Sequence, residues 1–239
     1  AQMTSYSSHY ARYFISSLEG RELIIQDGIQ SPDSVELVPF PLQTSFRTFK
    51  KVSREESCRR LGINPDLFTI FLSLGGEGIG RVSILERLAA SSLPVQVLIL
   101  GNPVGMSARH IARFRHRHPE FSLITPGYVS NAQEYTNASH LVMGKAGTNT
   151  MMEALYLGKP CMMTELFSSA VKAADYLQEN QIGWYAPTGR RQMRIITDLI
   201  REPHRMEELK ARISTLPLAY DTMAFARRII EVCSMYRNL

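Results

Sequence analysis

Four stretches of the sequence combine residue types and spacings that could hold a ligand. Ser73-Leu74-Gly75-Gly76-Glu77-Gly78-Ile79-Gly80 follows an apolar run and precedes a helical pattern. Glycines let a backbone turn sharply and approach a ligand closely, and the free N–H groups of a following helix favour an anion. The run is neither GxGxxG nor a Walker GKS/T, so a tight strand-to-helix turn accounts for it as well as a phosphate-binding loop does. Gly144-Lys145-Ala146-Gly147-Thr148-Asn149-Thr150 opens a helix, where Thr hydroxyls and orphan N–H groups can meet a phosphate or hydroxyl. Glu153, early in that helix, can accept from two vicinal hydroxyls, as acidic residues do for ribose. On the residues alone the favoured reading is a solvated residue favourable to the helix macrodipole. Gly158-Lys159-Pro160 after it reads as a plain helix stop. Gly127-Tyr128-Val129-Ser130-Asn131 could read a base edge with its backbone, or be a turn in which Ser130 or Asn131 caps a helix.

The fourth stretch, Arg109 to His118, is a basic helix with Ile111 and Phe114 as its apolar seam. His116 and His118 do not share a helix face and their neighbours are cationic, which argues against a metal site. His9, His140 and His204 stand alone, so no hydrolase triad can be built. Cys58, Cys161 and Cys233 fit no metal spacing and read as buried or half-buried thiols of a reducing compartment.

The elements that must position these loops are regular from residue 67 onward. Apolar runs Leu67–Leu74, Val95–Leu100, Phe121–Thr125, Leu141–Met143, Cys161–Thr164 and Ile182–Tyr185 alternate with helical patterns. That alternation predicts an α/β fold, a doubly wound parallel sheet of about six strands buried on both faces. Ligands of such sheets sit beyond the carboxyl ends of the strands, where three of the four stretches fall. Helices are expected at 81–91, 107–118, 132–136, 149–157, 169–180, 192–201, 204–214 and 220–236. Residues 1–50 read as irregular, with a helix near 9–18, a short apolar run at Leu23–Ile25, and edge strands between prolines.

Composition excludes several classes. Of 239 residues, 44% are hydrophobic and 21% charged, which removes disordered, collagen-like and coiled-coil chains. No apolar run approaches the roughly 18 residues that span a bilayer. The first ten residues lack the charged start and apolar stretch of a signal peptide, and a cytoplasmic location is the expectation. A net charge of +5 suits an anionic partner, whether phosphate, anionic lipid or nucleic acid. Nucleic acid is the weakest of these, because basic charge alone is generic.

Together the loops resemble the C-terminal, nucleotide-sugar-binding half of GT-B glycosyltransferases. The group concerned contains monogalactosyldiacylglycerol synthase, processive diacylglycerol glucosyltransferases and the N-acetylglucosaminyltransferase that makes lipid II. The resemblance runs from about Val38 to about Ala211. It rests on Gly75 to Gly80 as the GGEG(M/I)G loop, Gly127 to Asn131 as the "GFVSN" loop, and Lys145 to Pro160 as the "KAGxxTxxEAL…GxP" helix start. It implies a Rossmann-like domain over 46–239, with C-terminal helices, entered through a remnant or linker of an N-terminal domain over 1–45. It implies that Gly75, Gly76, Glu77 and Gly78 border a diphosphate and that Tyr128 and Val129 lie beside uracil. Gly147 and Thr148 would approach the phosphates, and Glu153 would hold the ribose hydroxyls.

The function so implied is the donor half of an inverting glycosyltransferase. It would pass a hexosyl group from a UDP-sugar to a lipid-linked or other membrane-associated acceptor, without cofactor or metal. An N-terminal acceptor domain or separate subunit would complete it, and an anionic membrane surface is an expected partner, making the protein peripheral. The alternative is a non-catalytic nucleotide-binding or subunit-interaction module on the same fold. Two departures stand out. The family's polar pair that contacts the donor sugar is replaced by Phe167-Ser168-Ser169-Ala170-Val171-Lys172, and its "GPGT" glycine by Asn149, a residue that tolerates positive φ. No catalytic base can be named.

Overall fold

The computed structural model describes residues 12–26, 31–75, 78, 80–145, 147–166 and 171–236. The chain divides into two compact units, Ala1–Arg47 with Leu216–Leu239, and Thr48–Thr215.

The first unit contains β1 (Tyr13–Ile15), α1 (Leu18–Gln26), β2 (Val35–Leu37), α2 (Thr44–Arg47) and, from the far end of the sequence, α11 (Thr222–Tyr236). β1 and β2 pair in parallel, Tyr13 opposite Val35, with α1 as the crossover. The helix expected near 9–18 is therefore not formed over its described part. Ser17 instead starts α1, its hydroxyl accepting from Gly20 N at 3.1 Å, and the Leu23–Ile25 run becomes helical. Ile24 packs with Tyr13 and Val35 into a small core. Asp221 caps α11 by accepting from Met223 N and Ala224 N at 3.0 and 2.9 Å. Arg228 on that helix grips both carboxylate oxygens of Glu36, a bidentate pair. By sequence α11 belongs with residues 46–239, whereas in the fold Leu216–Leu239 cluster with Ala1–Arg47.

The second unit is the expected α/β fold. α3 (Arg54–Leu61) leads into β3 (Phe68–Ser73), α4 (Ile84–Ala89), β4 (Val95–Leu100), α5 (Gly105–Arg117), β5 (Leu123–Gly127), α6 (Ala132–Ala138), β6 (Leu141–Lys145), α7 (Thr148–Tyr156), β7 (Cys161–Glu165), α8 (Val171–Glu179), β8 (Gly183–Tyr185), α9 (Gly189–Arg201) and α10 (His204–Ser214). Six parallel strands lie in the order β5-β4-β3-β6-β7-β8. The first strand is thus central, and the chain reverses direction between β3 and β6, the switch point where doubly wound sheets bind ligands. β3, β4 and β6 read as continuous apolar runs because both faces are covered: Ile70, Leu72, Val97, Ile99, Leu141 and Met143 are each almost wholly buried. The six strands fall within a few residues of the apolar runs.

One boundary differs in a way that matters for function. The helix expected from Arg81 begins only at Ile84. Gly80 and Arg81 spend their backbone groups elsewhere. Gly80 donates to and accepts from the Ser107 hydroxyl at 3.2 and 2.9 Å, and Arg81 N donates to Glu165 Oε1 at 2.9 Å. Long-range side chains have taken the donors that a first helical turn would leave open.

Candidate functional site

The loop after β3 is a hub to which the neighbouring strand ends are tied. Gly75 and Gly78 both sit at positive φ, +72° and +66°, and Gly78 N donates to Gly75 O at 3.1 Å. Gly78 could be nothing else. A Cβ there would stand 2.3 Å from Asn102 O, a backbone atom of the loop after β4. Val104 N closes that contact by donating to Gly78 O at 3.2 Å, and Gly101 N bonds Gly127 O at 2.8 Å, adding the end of β5. Across the switch point, a Cβ on Gly75 would meet the Lys145 side chain at 3.7 Å. Gly144, φ +144°, lets β6 lie so close to β3 that a Cβ would collide with Ser73 O at 2.1 Å. Arg81 and Glu165 extend the rim to β7. Five strand ends therefore meet in one contiguous rim. Gly76 and Glu77 lie outside the described residues.

α7 points its N-terminus into this rim. Gly147 is its N-cap in extended conformation, and no side chain accepts from the first-turn N–H groups. Gly147 and Thr148 are exposed, and a Cβ at Gly147 would meet nothing within 4 Å, so the space over the helix start is open. Free N–H groups and the positive end of the dipole favour an anion there. Asn149 lies in the helix, and among the described non-glycine residues only Gln181 has positive φ. The turn therefore does not need the tolerance that Asn offers.

Glu153 sits on α7 with Met151, Met152, Ala154 and Leu155 buried about it. It is half-buried, and burial pushes its carboxyl up to about 7. No salt bridge among the described residues reaches it. That is not the environment of a solvated surface glutamate. A carboxylate held partly out of water without a counter-ion gains most from hydroxyl donors that a ligand brings.

Tyr128 and Val129 follow β5. Tyr128 is 85% exposed, a large aromatic face in solvent, and Val129 is half-buried. Asn131 takes the N-cap position of α6, but its side chain bonds Glu134 Oε2 at 3.2 Å rather than a backbone N–H. Val104 on the neighbouring loop and Met106 in the first turn of α5 are also exposed, 44% and 59%, so an apolar edge borders the rim.

The basic helix is less available than its sequence suggests. Arg115 bonds Thr125, Arg117 pairs with Glu86, and His118 Nε2 lies 3.0 Å from Glu86 Oε2. Arg109 and Arg113 remain exposed. Among the described residues no group of three His, Cys, Asp or Glu could hold a metal ion. Cys58 and Cys161 are buried as expected, whereas Cys233 is exposed on α11.

Sequence reasoning missed Asn102, Ser107 and Glu165, which lock the loops together. A lone Asn, Ser or Glu has no pattern to mark it; only the topology brings these residues beside the glycines. It also passed over Lys159, which is buried rather than a plain helix terminator.

Known proteins bear on this geometry. Residues 85–182 match the glycosyltransferase family 28 C-terminal domain. The processive diacylglycerol beta-glucosyltransferase of Staphylococcus carnosus is 21% identical over 94% of this chain and 57% of its own length. The monogalactosyldiacylglycerol synthase of Spinacia oleracea is 26% identical over 73% of this chain and 34% of its own. Among solved structures, Anabaena HepE in complex with UDP superposes with a TM-score of 0.65 at 14% identity, covering 94% of this chain and 64% of that one. The chain thus spans 57% to 60% of the length of these diacylglycerol glucosyltransferase relatives. Over residues 85–182 the chain is thus similar to the glycosyltransferase family 28 C-terminal domain, and its doubly wound sheet is the fold of one half of GT-B glycosyltransferases.

Proposed function

We propose that this chain is the donor-binding half of an inverting glycosyltransferase that takes a hexosyl group from a UDP-sugar. One observation supports the reading: the uncapped start of α7 opens beside the strand-end glycines at the sheet's switch point, and the same helix carries the half-buried Glu153. In this reading Gly75 and Gly78, with Gly76 and Glu77 between them, border the diphosphate. The N–H groups after Gly147, with the Thr148 hydroxyl, meet the phosphates. Glu153 accepts from the ribose hydroxyls, and Tyr128 and Val129 lie beside the uracil. The leaving diphosphate is stabilised by the α7 N-terminus, so neither metal nor cofactor is required.

The acceptor is a membrane-associated lipid, since the relatives are named for diacylglycerol glycosylation. An N-terminal acceptor domain or separate subunit contributes the catalytic base. The exposed Val104, Met106 and Tyr128 along the rim are the surface it would cover. No helix among the described residues is long and apolar enough to cross a membrane. In this reading the protein meets the bilayer peripherally, at its cytoplasmic face.

A second reading rests on one feature of the sequence. Phe167-Ser168-Ser169-Ala170-Val171-Lys172 lacks a polar pair for the sugar, which fits a module that binds nucleotide without transfer. Calorimetric titration with uridine diphosphate tests what both readings share. Binding is expected, and Glu153→Ala should weaken it by about 1.5–3 kcal/mol, the loss of charge-assisted hydrogen bonds. Equal affinity for wild type and variant contradicts the ribose role. Titration with UDP-glucose separates the two readings: affinity above that for uridine diphosphate supports a sugar site, and weaker binding supports the module.

A further inference from the structure

At the opposite, amino-terminal end of the sheet lies a cleft of about 680 Å³, formed wholly within the Thr48–Thr215 unit. That volume is within the roughly 300–1,000 Å³ of small-molecule sites. Its apolar walls are Phe68 at the start of β3, Leu199 and Ile200 at the end of α9, and Met206 on α10. Lys159 also lines it, only 6% exposed, although lysine is among the residues least often buried.

The surroundings of this ammonium are unusual. Its Nζ donates to Asn137 O at 2.6 Å, leaving two of three N–H donors without a partner among the described residues. Each cleft-wall carboxylate of α3 and α10 is already taken: Glu55 pairs with Arg54 at 3.2 Å, and Glu207 with Lys210 at 2.7 Å. Asp66 on the α3–β3 loop also borders the cleft. Arg54 and Lys210 repel the Lys159 charge, while Cys58 and Glu55 give smaller opposing effects. Burial first, and these cations second, bring it down to about 7. His140 faces the same cleft, stacked on Phe68 with ring centroids 4.7 Å apart. Its Nδ1 accepts from Thr69 N at 2.9 Å, so in the neutral ring Nε2 carries the proton and is a donor. A buried cation with spare donors, no counter-ion and apolar walls is a half-made ion pair.

We propose that this cleft is a second ligand site, taking an aliphatic monocarboxylate whose head pairs with Lys159 and whose chain lies against Phe68, Leu199 and Met206. One negative charge matches one uncompensated ammonium, and Phe68, Leu199, Ile200 and Met206 give the chain an apolar side of the cleft to lie against. The site stands apart from the nucleotide loops, at the other end of the strands, and does not depend on the glycosyltransferase reading.

Octanoate, 1-octanol and inorganic phosphate, titrated into the whole chain by calorimetry and followed at the His140 ring by NMR, test it. At pH 6 octanoate should bind saturably, roughly tenfold tighter than 1-octanol, with phosphate alone weaker still. Octanoate affinity should fall by about tenfold or more between pH 6 and pH 9 as Lys159 loses its proton, with 1-octanol unaffected. Lys159→Met should reduce octanoate to the level of 1-octanol. The pH series on wild type gives the same answer should that variant fail to fold. Equal binding of octanoate and 1-octanol, no loss with pH, or displacement of octanoate by saturating uridine diphosphate would each overturn the proposal.

Discussion

Glu153 is half-buried on α7, and its carboxyl is raised from 4.5 to about 7 by burial. A carboxyl whose folded value lies above its unfolded one favours folding while protonated. That contribution is complete below about pH 4.5 and is lost as pH rises through about 7. Glu153→Gln is therefore expected to stabilise the free protein at pH 8 by about 1–2 kcal/mol, allowing for solvent screening of a partly exposed group, and to leave it unchanged at pH 4. Thermal unfolding at the two pH values checks this; equal shifts at both would mean the charge is not the cause. Ribose hydroxyls donate to the ionised form, so uridine diphosphate should bind more tightly at pH 8 than at pH 5.5 and release a proton at pH 6. Titration in buffers of different ionisation enthalpy reads that proton directly. Gly78 offers a cleaner separation of site from core. A methyl group there meets the backbone oxygen of Asn102 at 2.3 Å, which cannot swing aside as a side chain would. Gly78→Ala should abolish measurable uridine diphosphate affinity while costing about 1–3 kcal/mol of stability. Retained affinity would mean the loop can move without affecting the site.

The loops are held by a few side chains between elements rather than by caps. Ser107 at the start of α5 both donates to Gly80 O and accepts from Gly80 N. Ser107→Ala leaves two part-buried backbone groups unpaired and should cost about 1–2 kcal/mol. Amide exchange at Gly80 should accelerate while Ile70 and Leu98 in the central strands stay protected; uniform acceleration would point to global destabilisation instead. The same contact explains what could be read from sequence. Six strands were legible because both-face burial demands continuous apolar runs, and α7 was legible because Gly147-Thr148 announces a helix start. The start of α4 was not, because Gly80 and Arg81 are claimed by residues 27 and 84 positions away. The βαβ at 13–37 was missed for the opposite reason. Its strands have three residues each, too short for a period to show. Glu153 was visible as a residue type, but its burial was not, since a nine-residue helix with only moderate amphipathicity does not reveal which face it buries.

For the whole molecule, the sheet order places nucleotide chemistry at the carboxyl ends of β3 and β6 and leaves a second, differently lined cleft at their amino ends. The charge of +5 is distributed so that Arg115 and Arg117 are engaged within the fold while Arg109 and Arg113 face solvent. Binding to anionic vesicles should accordingly be weak and lost on raising salt, because exposed charges are screened beyond about 8 Å at physiological ionic strength. Co-sedimentation with anionic and neutral vesicles checks this; equal pelleting in both would exclude an electrostatic contact. The central claim is that uridine diphosphate binds at the switch point. Backbone chemical-shift mapping of the labelled chain during titration with uridine diphosphate tests it most directly. The largest changes are expected at Gly75, Gly78, Gly147, Thr148 and Glu153, with His140 and Lys210 at the other end unmoved. Changes centred on the amino-terminal cleft, or none at millimolar nucleotide, would contradict it.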